Sequence, residues 1–230
     1  MKQISDETIE RFKQSLSLLN ISITDIKLKN IFLYSELLLE RNKQINLISR
    51  STDSNILFDH IFLSLCFSNY IPQNKNIKIL DIGTGGGLPG IPLSIFFPNS
   101  HFILIDSIRK KIDSVKNFIT SLGLTNVNAI SERSEVVSKL KEYKNNFNVV
   151  VARSVMSLTD LIEQSLPFLN SSRSSKIITL KGGDLKDEIS TAKKRYRKLI
   201  IEENILALSA VPEILNKDKK FIIVTLNQNG

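Results

Sequence analysis

The sequence predicts a doubly wound α/β fold, a mostly parallel seven-stranded sheet preceded by an N-terminal helical extension, on three observations. From Ile77 onward, short apolar runs alternate with amphipathic stretches, the pattern of successive βαβ units. A glycine-dense loop, Asp81 to Gly90, follows the first of those runs and precedes an apolar helical segment beginning near Ile91. Before Ile77 the periodicity is helical instead, with apolar residues three or four apart.

Taken in order, Ser5-Asp6-Glu7 can open a first helix with Ile9, Phe12, Leu16 and Leu19 on one face. A second can start after Thr24-Asp25, carrying Ile31, Leu33, Leu37 and Leu38 toward Arg41, and a third spans about 55–70, ending before Pro72. Pro72 to Asn76 is the best linker, which divides the chain into a helical extension, 1–75, and an α/β domain, 76–230. Strands are expected at Ile77–Ile82, His101–Asp106, Val127–Ile130, Asn148–Ala152, Ser175–Lys181, Ile200–Leu208 and Lys220–Leu226. The connection between the last two contains Pro212 and is too irregular for a crossover helix, so those strands should form an antiparallel hairpin.

At 230 residues the chain can bury one good core, and 42% hydrophobic with 23% charged residues is globular rather than disordered. It has no apolar run long enough to span a bilayer and no signal-peptide core near Met1, so a cytoplasmic protein without membrane partners is expected; a monomer is expected as well. The single cysteine, Cys66, excludes an internal disulfide and a thiolate metal cluster. With only His60 and His101 as imidazoles, no spacing supports a zinc site, and no metal is expected. A net charge of +8 favours a polyanionic partner. Nucleic acid fits better than lipid, since no basic amphipathic helix carries aromatic anchors.

Two cofactors compete for the glycine loop. Gly85, Gly87 and Gly90 satisfy GxGxxG, which suggests a dinucleotide with its pyrophosphate on a helix N-terminus. The overlapping pattern Asp81-x-Gly83-x-Gly85-x-Gly87 puts a carboxylate at the strand end, where it would repel pyrophosphate but meet a cationic amino-acid ligand. That acid favours S-adenosylmethionine over NAD. Asp106, ending the next strand, can accept hydrogen bonds from two ribose hydroxyls under either reading, or simply cap the helix that follows.

The stretch DIGTGGGLPGIPLSIFFP from Asp81 to Pro98, followed by Leu104-Ile105-Asp106-Ser107 and Lys110-Lys111, resembles the glucose-inhibited division protein B family, the bacterial ribosomal RNA small subunit methyltransferases G. Further likeness lies at Asn46-Leu47, His60, Arg133 to Glu135, Ala152-Arg153-Ser154 and Leu180-Lys181-Gly182, so it extends over most of the chain. The LPGIP element is more specific than the glycines. The resemblance implies a Rossmann-like methyltransferase sheet and formation of 7-methylguanosine at position 527 of 16S ribosomal RNA, with that RNA or the small ribosomal subunit as partner. By position it implies cofactor contacts at Gly83, Leu88, Ser134, Glu135 and Arg153, beside Asp81, Gly85, Gly87 and Asp106. Around His60 the chain departs from the family: Asp59 stands where arginine is common and Leu63 where aspartate is common.

Ring nitrogen 7 of guanine already presents a lone pair, so its methylation needs no deprotonation and positioning should supply much of the rate. Arg153, following the apolar strand run Val149-Val150-Val151 at the carboxyl end, is the candidate catalytic residue, able to orient a carboxylate, a phosphate or the guanine edge. Lys181 and the run Lys193, Lys194, Arg195, Arg197 are candidates for RNA phosphate contacts, although such runs are as often solvated helix faces. His60 and Asn46 are weaker candidates, and Cys66 in its apolar surroundings reads as structural. An NAD-dependent oxidoreductase and a non-catalytic RNA-binding assembly factor are the competing functions.

Overall fold

The computed structural model describes residues 5–49, 55–73, 76–153, 156–171, 175–205, 211, 214 and 218–226. Strands β1 (Lys78–Ile82), β2 (His101–Asp106), β3 (Val127–Ser131), β4 (Val149–Arg153), β5 (Lys176–Gly182), β6 (Leu199–Ile205) and β7 (Lys219–Leu226) form one sheet in the order β3-β2-β1-β4-β5-β7-β6. The first five are parallel, and β7 is antiparallel to both neighbours. All seven strands expected from the sequence are present within a residue or so, except that the end expected for the sixth, 206–208, lies outside the described residues. The expected hairpin between the last two strands is also present.

The chain winds outward from β1 to β3, then returns to build β4 on the other side of β1. The direction of winding therefore reverses between β1 and β4, and a crevice opens beyond their carboxyl ends, where doubly wound sheets bind ligands.

Helices α1 (Asp6–Ser17) and α2 (Asp25–Asn42) start where their polar caps dictate: Ser5 accepts from the Thr8 amide and Thr24 from the Lys27 amide. The third helical segment, α3, departs from regular geometry, with a π-turn at Leu57–Phe62, an α-turn at Leu63–Leu65 and a 3-10 turn at Cys66–Tyr70. Along α2 the buried residues include Leu28, Ile31, Tyr34 and Leu38, whereas Leu33 is exposed. The expected face was rotated because α2 carries apolar residues nearly all round, which hides the phase of the 3.6-residue period.

Helices α4 (Gly90–Phe96) and α5 (Arg109–Ser121) join the three N-terminal helices on one face of the sheet. Helices α6 (Ser134–Val137), α7 (Leu158–Ser165) and α8 (Lys186–Arg195) cover the other. Phe12, Tyr34, Leu38 and Phe62 share one apolar cluster with Ile79, Phe102, Val151 and Phe221 of the sheet. Each such side chain contributes about 1.5–3 kcal/mol by burial. The division near residues 75 and 76 is thus one of sequence pattern, while the core runs across it.

Strand alternation aims the functional side chains. On β4, Val149 and Val151 enter the cluster shared with the N-terminal helices, while Val150 and Ala152 enter the opposite one. Arg153 is in phase with Val149 and Val151 and so points toward the N-terminal helices.

Candidate active site

A cavity of about 1090 Å³ opens at the carboxyl ends of β1, β2 and β4, lined among others by Gly83, Gly85, Leu88, Asp106, Glu135 and Arg153. That is slightly above the usual range for small-ligand sites, about 300–1,000 Å³, leaving room for more than one reactant.

The glycine loop forms its floor and is held by its own backbone. Gly83 and Thr84 donate to the Ile105 carbonyl at 2.8 and 3.0 Å, and Gly87 and Leu88 donate to the Thr84 carbonyl at 2.8 and 2.9 Å. From the far side, the buried Tyr34 hydroxyl donates to the Gly86 carbonyl at 2.8 Å. Two glycines are required by geometry. Gly87 has φ +97°, and a Cβ there would meet Ile91 Cδ1 at 2.5 Å. A Cβ on Gly90 would stand 2.8 Å from Asp81 Oδ2, the atom that accepts from the Gly90 amide at 2.9 Å.

Asp81 therefore turns inward. Its Oδ2 accepts from Thr84 Oγ1 at 2.7 Å and from the Gly90 amide, while its buried Oδ1 has no hydrogen-bond partner among the described residues. Burial, only partly offset by those two hydrogen bonds, pushes its carboxyl up to about 7. Neither Asp81 nor Gly87 is among the cavity-lining residues. Both lie behind the loop and shape it.

Donor accounting at the start of α4 separates the two cofactor readings. The Gly90 amide is taken by Asp81, the Ile91 amide by the Gly87 carbonyl at 2.7 Å and the Leu93 amide by the Pro89 carbonyl at 3.1 Å, while Pro92 has no N–H. A pyrophosphate needs such amides turned toward it. Here they face an aspartate and the helix's own carbonyls, so the GxGxxG match does not make a dinucleotide site.

Asp106 ends β2 at the cavity wall. Its Oδ2 accepts from the Gly85 amide at 3.0 Å and its Oδ1 from the Ile108 amide at 2.9 Å. A carboxylate has about four acceptor positions, so two remain for hydroxyls of a ligand. Ser134 is buried and donates to Gln164 Oε1 at 2.5 Å, and the exposed Glu135 follows it on the wall. These donors and acceptors suit a nucleoside whose ribose meets a carboxylate, as S-adenosylmethionine would present.

Arg153 is clamped from the side of α3. It donates to the His60 carbonyl at 3.2 Å, to the Asp59 carbonyl at 3.3 Å and to His60 Nδ1. A guanidinium only donates, so in this contact Nδ1 stands as the acceptor. The π-turn brings both carbonyls to one cation. Burial lowers the Arg153 guanidinium to about 10, opposed by the charges of Asp59 and Asp81, and it remains cationic at neutral pH.

The remaining candidates scatter. Lys181 is spent inside the fold, donating to the Met156 carbonyl and to Glu188, each at 2.7 Å, and it is not among the cavity-lining residues. The basic run divides: Arg195 pairs with Glu163 at 2.7 Å, while Lys193, Lys194 and Arg197 face a separate groove. Asn46 is exposed and outside the cavity. Cys66 is fully buried, and burial pushes its thiol up, so it stays protonated.

Several residues here were not expected as site residues, although Lys111 and Arg133 fall in stretches that carry the resemblance. Lys111, Arg133 and Lys219 line the cavity as cations beside Arg153. Lys219 was findable: an antiparallel β7 must begin at the carboxyl edge, and its register sets Lys219 opposite Gly182. Asn42 carried no obvious signal, yet its buried Oδ1 accepts from the Leu47 and Ile48 amides at 2.9 and 3.0 Å and folds that loop onto the cavity.

Fold and cavity together define a Rossmann-like methyltransferase. Among solved structures, a mutant of MtNAS in complex with S-adenosylmethionine aligns with a TM-score of 0.57 at 14% identity, covering 96% of this chain and 88% of that one. The ribosomal protein L11 methylase of Lactobacillus delbrueckii subsp. bulgaricus aligns at 0.53, also 14% identical, over 76% and 80%. At such identities the likeness is one of fold. Sequence goes further, since the model of the family described as rRNA small subunit methyltransferase G matches residues 27–216, and the chain belongs to that family. Its relatives of that name include one from Chlorobium luteolum, 41% identical over 172 residues, 75% of this chain and 69% of the relative. Another, from Bacillus subtilis, is 28% identical over 225 residues, 93% of each chain.

Proposed function

We propose that this protein binds S-adenosylmethionine against the glycine loop and methylates ring nitrogen 7 of the guanine at position 527 of 16S ribosomal RNA, acting as a cytoplasmic monomer. The observation that carries the cofactor half is the donor accounting at α4, joined to the two acceptor positions left on Asp106. Family membership supports the RNA half.

When bound, S-adenosylmethionine supplies an electrophilic methyl group on a sulfonium sulfur. Asp106 holds the ribose hydroxyls, with Gly83, Gly85 and Leu88 beneath and Ser134 and Glu135 at the wall. Asp81 keeps the loop in shape by anchoring Thr84 and Gly90. Arg153, fixed by Asp59 and His60, orients the guanine through oxygen 6, which lies beside nitrogen 7, and leaves the nitrogen's lone pair free for the methyl group. The target nitrogen brings its own lone pair, so the protein's task is placement. Lys111, Arg133 and Lys219 hold the flanking phosphates at the rim.

The test is methyl transfer from labelled cofactor to small ribosomal subunits lacking the modification, followed by nuclease digestion and mass spectrometry. Label in 7-methylguanosine at that one nucleotide is expected. Transfer to another atom, to ribosomal protein, or to nothing would overturn the reading.

A further inference from the structure

The basic run at the end of α8 lies away from the cavity in two respects. Strand register gives its height: Ile200 pairs with Thr225, which pairs with Lys176 at the start of β5, whereas Arg153 pairs with Leu180 near its end. Four residues along the strand and three strand spacings across separate Arg153 from Ile200, roughly 20 Å on standard sheet dimensions. The side is different as well. α8 packs on the face covered by α7, while Arg153 points to the face covered by the N-terminal helices.

On that opposite face, α8 and the edge strand β6 enclose a groove of about 620 Å³. Lys186, Lys193 and Lys194 line it from one stripe of α8 and Arg197 from the turn that follows, with Glu203 as the single acid of the lining among the described residues. None of the four cations forms an ion pair among the described residues. Arg195 is turned out of the stripe toward Glu163 and Tyr196. Four cations beside one acid, along a groove rather than a convex helix face, complement a chain of phosphates.

We propose that this groove is a second docking surface for the phosphodiester backbone of the substrate RNA, holding a segment remote from the target nucleotide. The inference rests on the RNA reading above. A nucleotide seated at Arg153 cannot reach the groove, because the sheet edge stands between them. Recognition is therefore bipartite, with target placement at the cavity and a sequence-independent grip on the other face.

The experiment compares the wild-type protein, the triple variant Lys193→Gln, Lys194→Gln, Arg197→Gln, and the single variant Arg195→Gln. Affinity for full-length 16S ribosomal RNA is measured across salt concentrations, with calorimetry of S-adenosylmethionine binding on each protein. The triple variant should lose about 2–3 from the slope of log affinity against log salt, at about 0.7–0.9 per phosphate contact. Its cofactor affinity should be unchanged, and Arg195→Gln should keep the wild-type slope. An unchanged slope in the triple variant, or an equal fall in Arg195→Gln, overturns the groove. A wild-type protein that neither binds nor methylates the RNA would instead sink the underlying RNA reading.

Discussion

Replacing Asp106 with alanine isolates the cofactor site more cleanly than any other single change. In the structure its carboxylate already accepts from the Gly85 and Ile108 amides at 3.0 and 2.9 Å. Those bonds aim the two remaining acceptor positions into the cavity. Alanine removes the acceptors for both ribose hydroxyls and leaves the two amides at the wall of an open cavity, where water can satisfy them. Hydrogen bonds to a charged group contribute about 1.5–3 kcal/mol, and part of that gain is shared between the hydroxyls, so a loss of about 1.5–3 kcal/mol in total is expected. That corresponds to roughly 10- to 150-fold weaker binding. Isothermal titration of S-adenosylmethionine into the wild-type protein and Asp106→Ala measures it directly, with thermal unfolding to confirm that the variant folds. Unchanged affinity in a folded variant would refute the assignment of Asp106 to the ribose and leave it as a loop anchor.

Tyr34→Phe strands the buried Gly86 carbonyl, so denaturant unfolding should show about 1–3 kcal/mol less stability together with weaker cofactor binding. Unaltered values for both would disconnect the N-terminal helices from the glycine loop. Asp81 has a pH signature: its folded carboxyl sits at about 7, above the ordinary 3.8, so the stability it contributes is complete below the ordinary value and is lost as pH rises through 7. Asp81→Asn keeps an acceptor for Thr84 and Gly90 without the charge, and its melting temperature relative to wild type should rise between pH 5.5 and 8.5; a constant difference would show that Asp81 does not titrate there. Arg153→Ala should slow methyl transfer on the order of 100-fold, since the guanine is no longer held in register, and a fully active variant would remove this arginine from the mechanism.

Much of this was legible in the sequence for identifiable reasons. Buried parallel strands read as short apolar runs, which is why β1 to β5 could be placed nearly to the residue. Asp81, Gly83, Gly85 and Asp106 were findable because strand ends and unusual backbone angles restrict residue type. The sequence did not show which way each acid turns. Asp81 and Asp106 are both strand-end aspartates, yet one is sealed behind the loop and the other lines the cavity. Both are in phase on the same face, since Asp81 pairs with Leu104, so the difference is set by height, Asp106 standing two residues nearer the carboxyl edge, and by the packing of Gly90 against Asp81 Oδ2. The clamp on Arg153 was also hidden, because it uses the backbone carbonyls of Asp59 and His60, and carbonyls leave no mark in residue identity. Asp59 and Leu63, the two departures, both line the cavity; Asp59 grips the guanidinium through its main chain, and its carboxylate adds a favourable charge beside it. Lys193, Lys194, Arg195 and Arg197 read as one charge run, and only the fold separates Arg195 from the others.

Attack by ring nitrogen 7 of a positioned guanine is the central step, and replacing that atom probes it most directly. Substrate RNA carrying 7-deazaguanosine at the target keeps its Watson–Crick edge but has a carbon where the lone pair was. Measured beside natural RNA under single-turnover conditions, it should bind with similar affinity and accept no methyl group. Methyl transfer to the deaza substrate at the natural rate would contradict the nitrogen-7 assignment.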